Sequence, residues 1–98
     1  MNRVELQIAS ERYLRDTLKR CLPAGAKVYL YGSRARQDHA WHADYDLWID
    51  ADLPQSVVQS IREDIDESFV PYRVDLVTTP ELSGRFAERV KAEAQRWL

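Results

Sequence analysis

The chain has 98 residues, 45% of them hydrophobic and 31% charged, with a formal net charge of −2. That length suits one compact core, expected to span residues 1–98, and is too short for two. The charge speaks against an electrostatic nucleic-acid binder, which carries a marked basic excess, and no apolar run nears the roughly 18 to 20 residues of a membrane span.

The opening MNRVELQIASERYLR is too polar for a signal-peptide core. A cytoplasmic location is therefore expected, and the single Cys21 agrees with a reducing compartment. Asn2 followed by Glu5 resembles a capping box, and Val4, Ile8, Leu14, Leu18 and Leu22 fall on one helical stripe that ends before Pro23. AKVYLYG (26–32) and YDLWID (45–50) read as strands. Pro54 opens a second helix with Val57, Val58, Ile61, Ile65 and Phe69 facing inward, and Pro71 stops it. YRVDLVT (72–78) is a third strand. Thr79 and Pro80 then start a last helix with Leu82, Phe86, Val90 and Trp97 on its inner face, in which Gly84 is a local weakness rather than a break. The first two strands are too close for a full parallel crossover, so a turn or one short helix should join them. The expected fold is α/β (α+β): a small mixed sheet with helices mainly on one face.

Alternate strand side chains point to opposite faces. Val28, Leu30, Tyr45, Leu47, Ile49, Tyr72, Val74 and Leu76 should face the helices. Asp44, Asp46 and Asp75 then gather on the other face, where they can share a metal if the second and third strands pair in register. Carboxylates in apolar segments are costly to ionise without a facing cation or donor, so something positive is expected there. Tyr29, Tyr31, Trp48 and Val77 share that face. The helices are expected to leave this face open, and an exposed aromatic group of this kind marks an interface, so a second protein chain should dock there or nearby.

An Asp-x-Asp pair at a strand end is more often a solvated rim than a metal site. The combination is more specific: Tyr31-Gly32-Ser33 after a strand, ten intervening residues, Asp44-Tyr45-Asp46-Leu47, and Asp75 between Val74 and Leu76. In these parts, and in GSRAR (32–36), the sequence resembles the DNA polymerase beta-like nucleotidyltransferase superfamily. Within it, the likeness is to the minimal nucleotidyltransferases of prokaryotes, commonly the antitoxin partners of HEPN-domain ribonuclease toxins. Two positions depart from the pattern. Gln37 stands where a glycine is frequent, so any need for positive φ there would be strained. Ala43 replaces a common serine before Asp44.

The resemblance implies the polymerase beta-like fold and metal-dependent transfer of a nucleotide, AMP from ATP in the first instance, with release of pyrophosphate. It implies that Asp44, Asp46 and Asp75 are catalytic and hold two Mg²⁺ ions, a metal suited to a few carboxylates plus phosphate oxygens. Gly32 and Ser33 would approach the phosphates. Arg36 is a candidate triphosphate contact, balanced against a surface arginine paired with a nearby acid. Loop histidines His39 and His42 lie close to Asp44 but fit nucleotide or partner contact better than zinc, since no further His or Cys lies nearby and structural zinc takes four ligands. Trp41 is expected to close the edge of the core, and Arg85, Arg89, Lys91 and Arg96 to form the solvated face of the last helix or contact a partner. Larger members of the superfamily carry further domains for the acceptor, so a second chain, a HEPN-type toxin, is the expected acceptor. Inhibition by occlusion without chemistry, and transfer to a small molecule, are the alternatives.

Overall fold

The computed structural model describes all of residues 1–98. Asn2 caps the first helix, its side chain accepting the Glu5 N–H at 2.9 Å, and α1 runs Arg3–Cys21. The chain continues through β1 (Lys27–Tyr31), α2 (Ser33–Arg36), β2 (Tyr45–Asp50), α3 (Gln55–Asp66) and β3 (Val74–Thr78). A single 3-10 turn (Thr79–Glu81), α4 (Gly84–Glu93) and β4 (Gln95–Arg96) complete it. The sheet order is β3-β2-β1-β4. β1 pairs antiparallel with β2 and with β4, and β2 pairs parallel with β3. The small mixed sheet expected from the sequence is thus present. One four-residue helix is enough to join two antiparallel strands, whereas the parallel pair uses α3 as its crossover.

The face assignments follow the alternation of the strands. Val28, Tyr45, Leu47, Ile49, Tyr72 and Leu76 lie in one core with Leu14, Leu18 and Leu22 of α1 and Ile61 and Ile65 of α3. Tyr45 is fully enclosed, and its hydroxyl donates to Glu11 at 2.8 Å. Burial and the neighbouring Glu11 carboxylate push the Tyr45 phenol far above its usual range, so it stays a neutral donor. Tyr13 and Arg20 of α1 both bond Asp64 of α3, which fixes the two helices against each other.

The opposite face is not open. Tyr31, Trp48 and Val90 form a second buried cluster, flanked by Tyr29, Val77, Leu82 and Phe86. The last helix therefore crosses the sheet on the side opposite α1 and α3. Period and face were separable facts: Phe86 and Val90 predict an apolar stripe on α4 but not which side of the sheet it covers.

Three further expectations need correcting. Gly84, with φ +55°, does break the last helical segment. The residue that caps this start is Thr78, in a capping box with Glu81, rather than Thr79, and it serves only the 3-10 turn. Trp97 is not on α4, because the helix stops at Glu93 and the chain enters β4 in extended conformation. Trp97 instead packs on the first core, with Arg15 over its ring at 4.2 Å, while its backbone N–H donates to the Val28 carbonyl at 2.8 Å. The terminal residues so satisfy backbone groups on the edge of β1.

Val4 and Ile8 are 67% and 56% exposed despite lying on the predicted stripe. Nineteen residues of helix span about 28 Å and a five-residue strand about 17 Å, so the first turns of α1 overhang the sheet. Phe69, also 53% exposed, lies beyond the end of α3 and meets Tyr13 edge-on.

Gln37 is the one non-glycine residue with positive φ, at φ 63° and ψ 28°. Its N–H closes α2 on the Arg34 carbonyl, so the left-handed turn is needed to leave this short helix. The strain anticipated at this position is real. Gln37→Gly is expected to raise stability by about 0.5–1 kcal/mol, the relief of a left-handed side chain less the extra freedom of the unfolded glycine. A urea midpoint that fell instead would show the Gln37 side chain to be stabilising.

Candidate active site

β1 delivers Tyr31 and Gly32 to the start of α2, while β2 and β3 deliver the acids. Asp46 and Asp75 are direct partners in the parallel register, with Tyr31 opposite Asp46 on the other side. Gly32 has φ +78° and ψ −158°, and a Cβ there would collide with the Asp46 carboxylate. Only glycine lets the acid lie against the loop backbone.

Asp46 is half-buried, and its pKa is pushed up to about 6 by burial first, then by Asp75 and Asp44. Arg89 on α4 works in the opposite direction but forms no ion pair with it. Burial, followed by the same Asp46 and Asp75 charges, raises the Tyr31 phenol to about 12. Asp75 keeps one weak cationic contact, Arg73 at 3.4 Å. The result is a concentration of negative charge and hard oxygen donors short of compensating cations. This donor chemistry fits a divalent ion such as Mg²⁺.

Asp46 and Asp75 are brought together, while Asp44 sits exposed on the loop entering β2, near enough to influence Asp46. The three carboxylates do not close into a common ligand set: no group of three His, Cys, Asp or Glu side chains stands in a metal-holding array. His39 and His42 are therefore not gathered with the acids either.

Gly32, Ser33, Arg36 and Asp46 line a shallow cleft of about 300 Å³ with Tyr31, Phe86 and Arg89. A larger groove of about 410 Å³ at the edge of β3 touches Asp75, Arg62 and Arg73 but none of the loop residues. The smaller cleft is the one in which the glycine loop and an acid meet. Arg36 reaches it while paired with Asp38 at 3.0 Å and Glu93 at 2.6 Å. The pairing with nearby acids entertained for Arg36 is thus present, on a side chain that also lines the cleft.

Arg34 points the other way and is buried. Its guanidinium donates to the carbonyls of Ala43 and Trp41 and lies 4.0 Å over the Tyr45 ring. It pins the loop that carries Asp44 to the core. Trp41 does not close the core as expected; it is 48% exposed, with Arg3 of α1 over its ring at 4.2 Å.

Sequence reasoning missed Phe86 and Arg89 as cleft residues, and Glu93 as the partner of two others, Gly32 and Arg36. Phe86 and Arg89 are one helical turn apart beside the inward-facing Val90, and that flanking position was the available signal. Nothing local marked Glu93, whose partners Gly32 and Arg36 are 61 and 57 residues away.

The nucleotidyltransferase domain model matches residues 11–96, a stretch that includes every residue of this cleft. A search of curated proteins gives no match. Among solved structures, the chain resembles one from a toxin-antitoxin with AMP-PNP, at 20% identity and TM-score 0.73, covering 90% of this chain and 72% of that one. It also resembles a chain of a tri-AMPylated Shewanella oneidensis HEPN toxin in complex with MNT antitoxin, at 20% identity and TM-score 0.68, covering 94% and 71%. A third likeness, to a proposed minimal nucleotidyltransferase, has 24% identity and TM-score 0.68 and covers 97% and 95%. At these identities the structural likenesses establish the fold, while the domain match spans nearly the full sequence. The chain belongs to the nucleotidyltransferase domain family.

Proposed function

We propose that this chain transfers a nucleoside monophosphate, AMP from ATP, to a hydroxyl of a HEPN-type partner protein in the cytoplasm and thereby acts as an antitoxin. The observation that carries the reading is the meeting of the Gly32 loop with Asp46 in one cleft, with Asp75 beside Asp46 in the parallel register of β2 and β3. Two structural neighbours are toxin–antitoxin assemblies, one with a nucleotide analogue and one with an AMPylated toxin, which supports the choice of donor and partner.

Asp44, Asp46 and Asp75 would hold two Mg²⁺ ions, which when bound offset triphosphate charge and make an attacking hydroxyl more acidic. The remaining work belongs to the chain. Gly32 removes the side chain that would keep phosphate away from the backbone, and Ser33 offers its N–H and hydroxyl beside it. Arg36 and Arg89 supply positive charge on two walls of the cleft, and Phe86 and Tyr31 supply an apolar surface that excludes water from part of it. Asp75 lies on β3, the edge strand of the sheet, where the hydroxyl of a second macromolecule has access.

Incubation with a HEPN-type partner, ATP and Mg²⁺, followed by intact-mass measurement, tests the proposal. The partner should gain one or more nucleoside monophosphates. A stable complex whose partner stays unmodified would identify occlusion as the mode of inhibition.

A further inference from the structure

Glu93 is the last residue of α4, yet its carboxylate is aimed into the loop after β1. One oxygen accepts the Gly32 N–H at 3.2 Å and the other accepts from Arg36 at 2.6 Å. The side chain is only 15% exposed. An anion bridging a glycine-loop amide and a guanidinium has the same donor requirements as a phosphate oxygen pair. Two residues on, the Gln95 side chain donates to the Ala35 carbonyl at 2.8 Å, so the corner between α4 and β4 is fastened to α2 at two points.

We infer that Glu93 is an internal competitor for the phosphate-binding donors and sets the affinity of the cleft for its nucleotide. The inference rests on the nucleotide-binding reading above and adds a residue and a cost to it. A triphosphate cannot take the Gly32 amide and Arg36 while the carboxylate holds them, and its charge repels Glu93. Binding therefore exchanges one anion for another. Arg36 keeps Asp38 throughout, at 3.0 Å, so its guanidinium remains oriented when Glu93 leaves. Because Glu93 ends α4, the same helix that carries Phe86 and Arg89, its release is felt on the opposite wall of the cleft.

The test measures ATP affinity calorimetrically at fixed excess Mg²⁺ for wild type and Glu93→Gln, with thermal melts of each without ligand. Glutamine keeps the volume and one acceptor while removing the charge. It should bind ATP about tenfold more tightly and melt slightly lower in the absence of nucleotide, since a charge-assisted contact is lost. Weaker or equal binding by a folded Glu93→Gln would overturn the inference and make Glu93 a positioning residue for the loop. A second measurement needs no variant: the side-chain carboxyl ¹³C resonance of Glu93 in the wild type should move toward its solvated value as ATP and Mg²⁺ are added. A resonance that stays fixed while ATP binds would overturn it equally. Failure of both proteins to bind ATP would instead remove the nucleotide-binding reading itself, and this inference with it.

Discussion

Trp48→Ala is expected to cost about 3 to 5 kcal/mol of folding stability, the usual range for emptying a buried aromatic site. Trp48 is 8% exposed and stacks on Tyr29 with ring centroids 4.8 Å apart. Its indole N–H donates to the Thr79 hydroxyl at 3.0 Å, which in turn donates to Asp50 at 2.8 Å. This chain of bonds ties β2 to the 3-10 turn that leads into α4. Trp48→Phe keeps an aromatic ring in the site but loses the N–H bond and part of the packing, so about 1 to 2 kcal/mol is expected. Denaturant midpoints of the two variants separate the contributions. A midpoint for Trp48→Ala within about 1 kcal/mol of the wild type would mean that α4 does not cover this face in solution, and would restore the view of Trp48 as a partner contact.

Asp46→Asn should reduce nucleotidyl transfer by on the order of 10³-fold or more, because under the proposed function it removes a carboxylate that would hold metal and with it several kcal/mol of transition-state stabilisation. The same variant should be more stable than the wild type when neither has metal. The sign follows from linkage. The Asp46 carboxyl has a pKa of about 6 in the folded chain against an ordinary value of 3.8, so the folded state holds its proton more tightly than the unfolded state. Stability therefore falls as pH rises through the window from about 4 to 6, and the penalty is full above it. The asparagine variant lacks that penalty. Its melting temperature should exceed the wild type's at about pH 8, and the gap should close near pH 4. ATP with Mg²⁺ should raise the wild-type melting temperature by mass action and leave the variant unchanged. An Asp46→Asn chain that melts well below the wild type at neutral pH would show the acid to be a structural element of the sheet.

Much of this was legible because short strands expose their period plainly. Tyr45, Leu47 and Ile49 alternate with Asp46 and Trp48, and that alternation set the two faces, while the Asp46–Asp75 pairing also needed the β2–β3 register that the fold supplies. What alternation cannot say is whether the second face is covered. Tyr29, Tyr31, Trp48 and Val77 carried the signal, since four large apolar side chains on one face call for a lid as readily as for a partner. The lid is α4, brought there by the Gly84 break. Trp97 misled for a related reason: it continues the helical period of Phe86 and Val90, but the backbone bonds offered by the edge of β1 draw residues 95–98 into extended pairing. Glu93 was illegible because its importance depends on two partners that only the tertiary fold brings near.

The most direct measurement follows the fate of the two ends of the triphosphate. The wild-type chain, Mg²⁺ and a HEPN-type partner would be supplied with ATP labelled at either the α- or the γ-phosphorus. The α-label should become covalently attached to the partner, the γ-label should leave as pyrophosphate, and Asp46→Asn should do neither. Partner carrying the γ-label, or carrying the α-label equally well with Asp46→Asn, would contradict nucleotidyl transfer at the Gly32–Asp46 cleft.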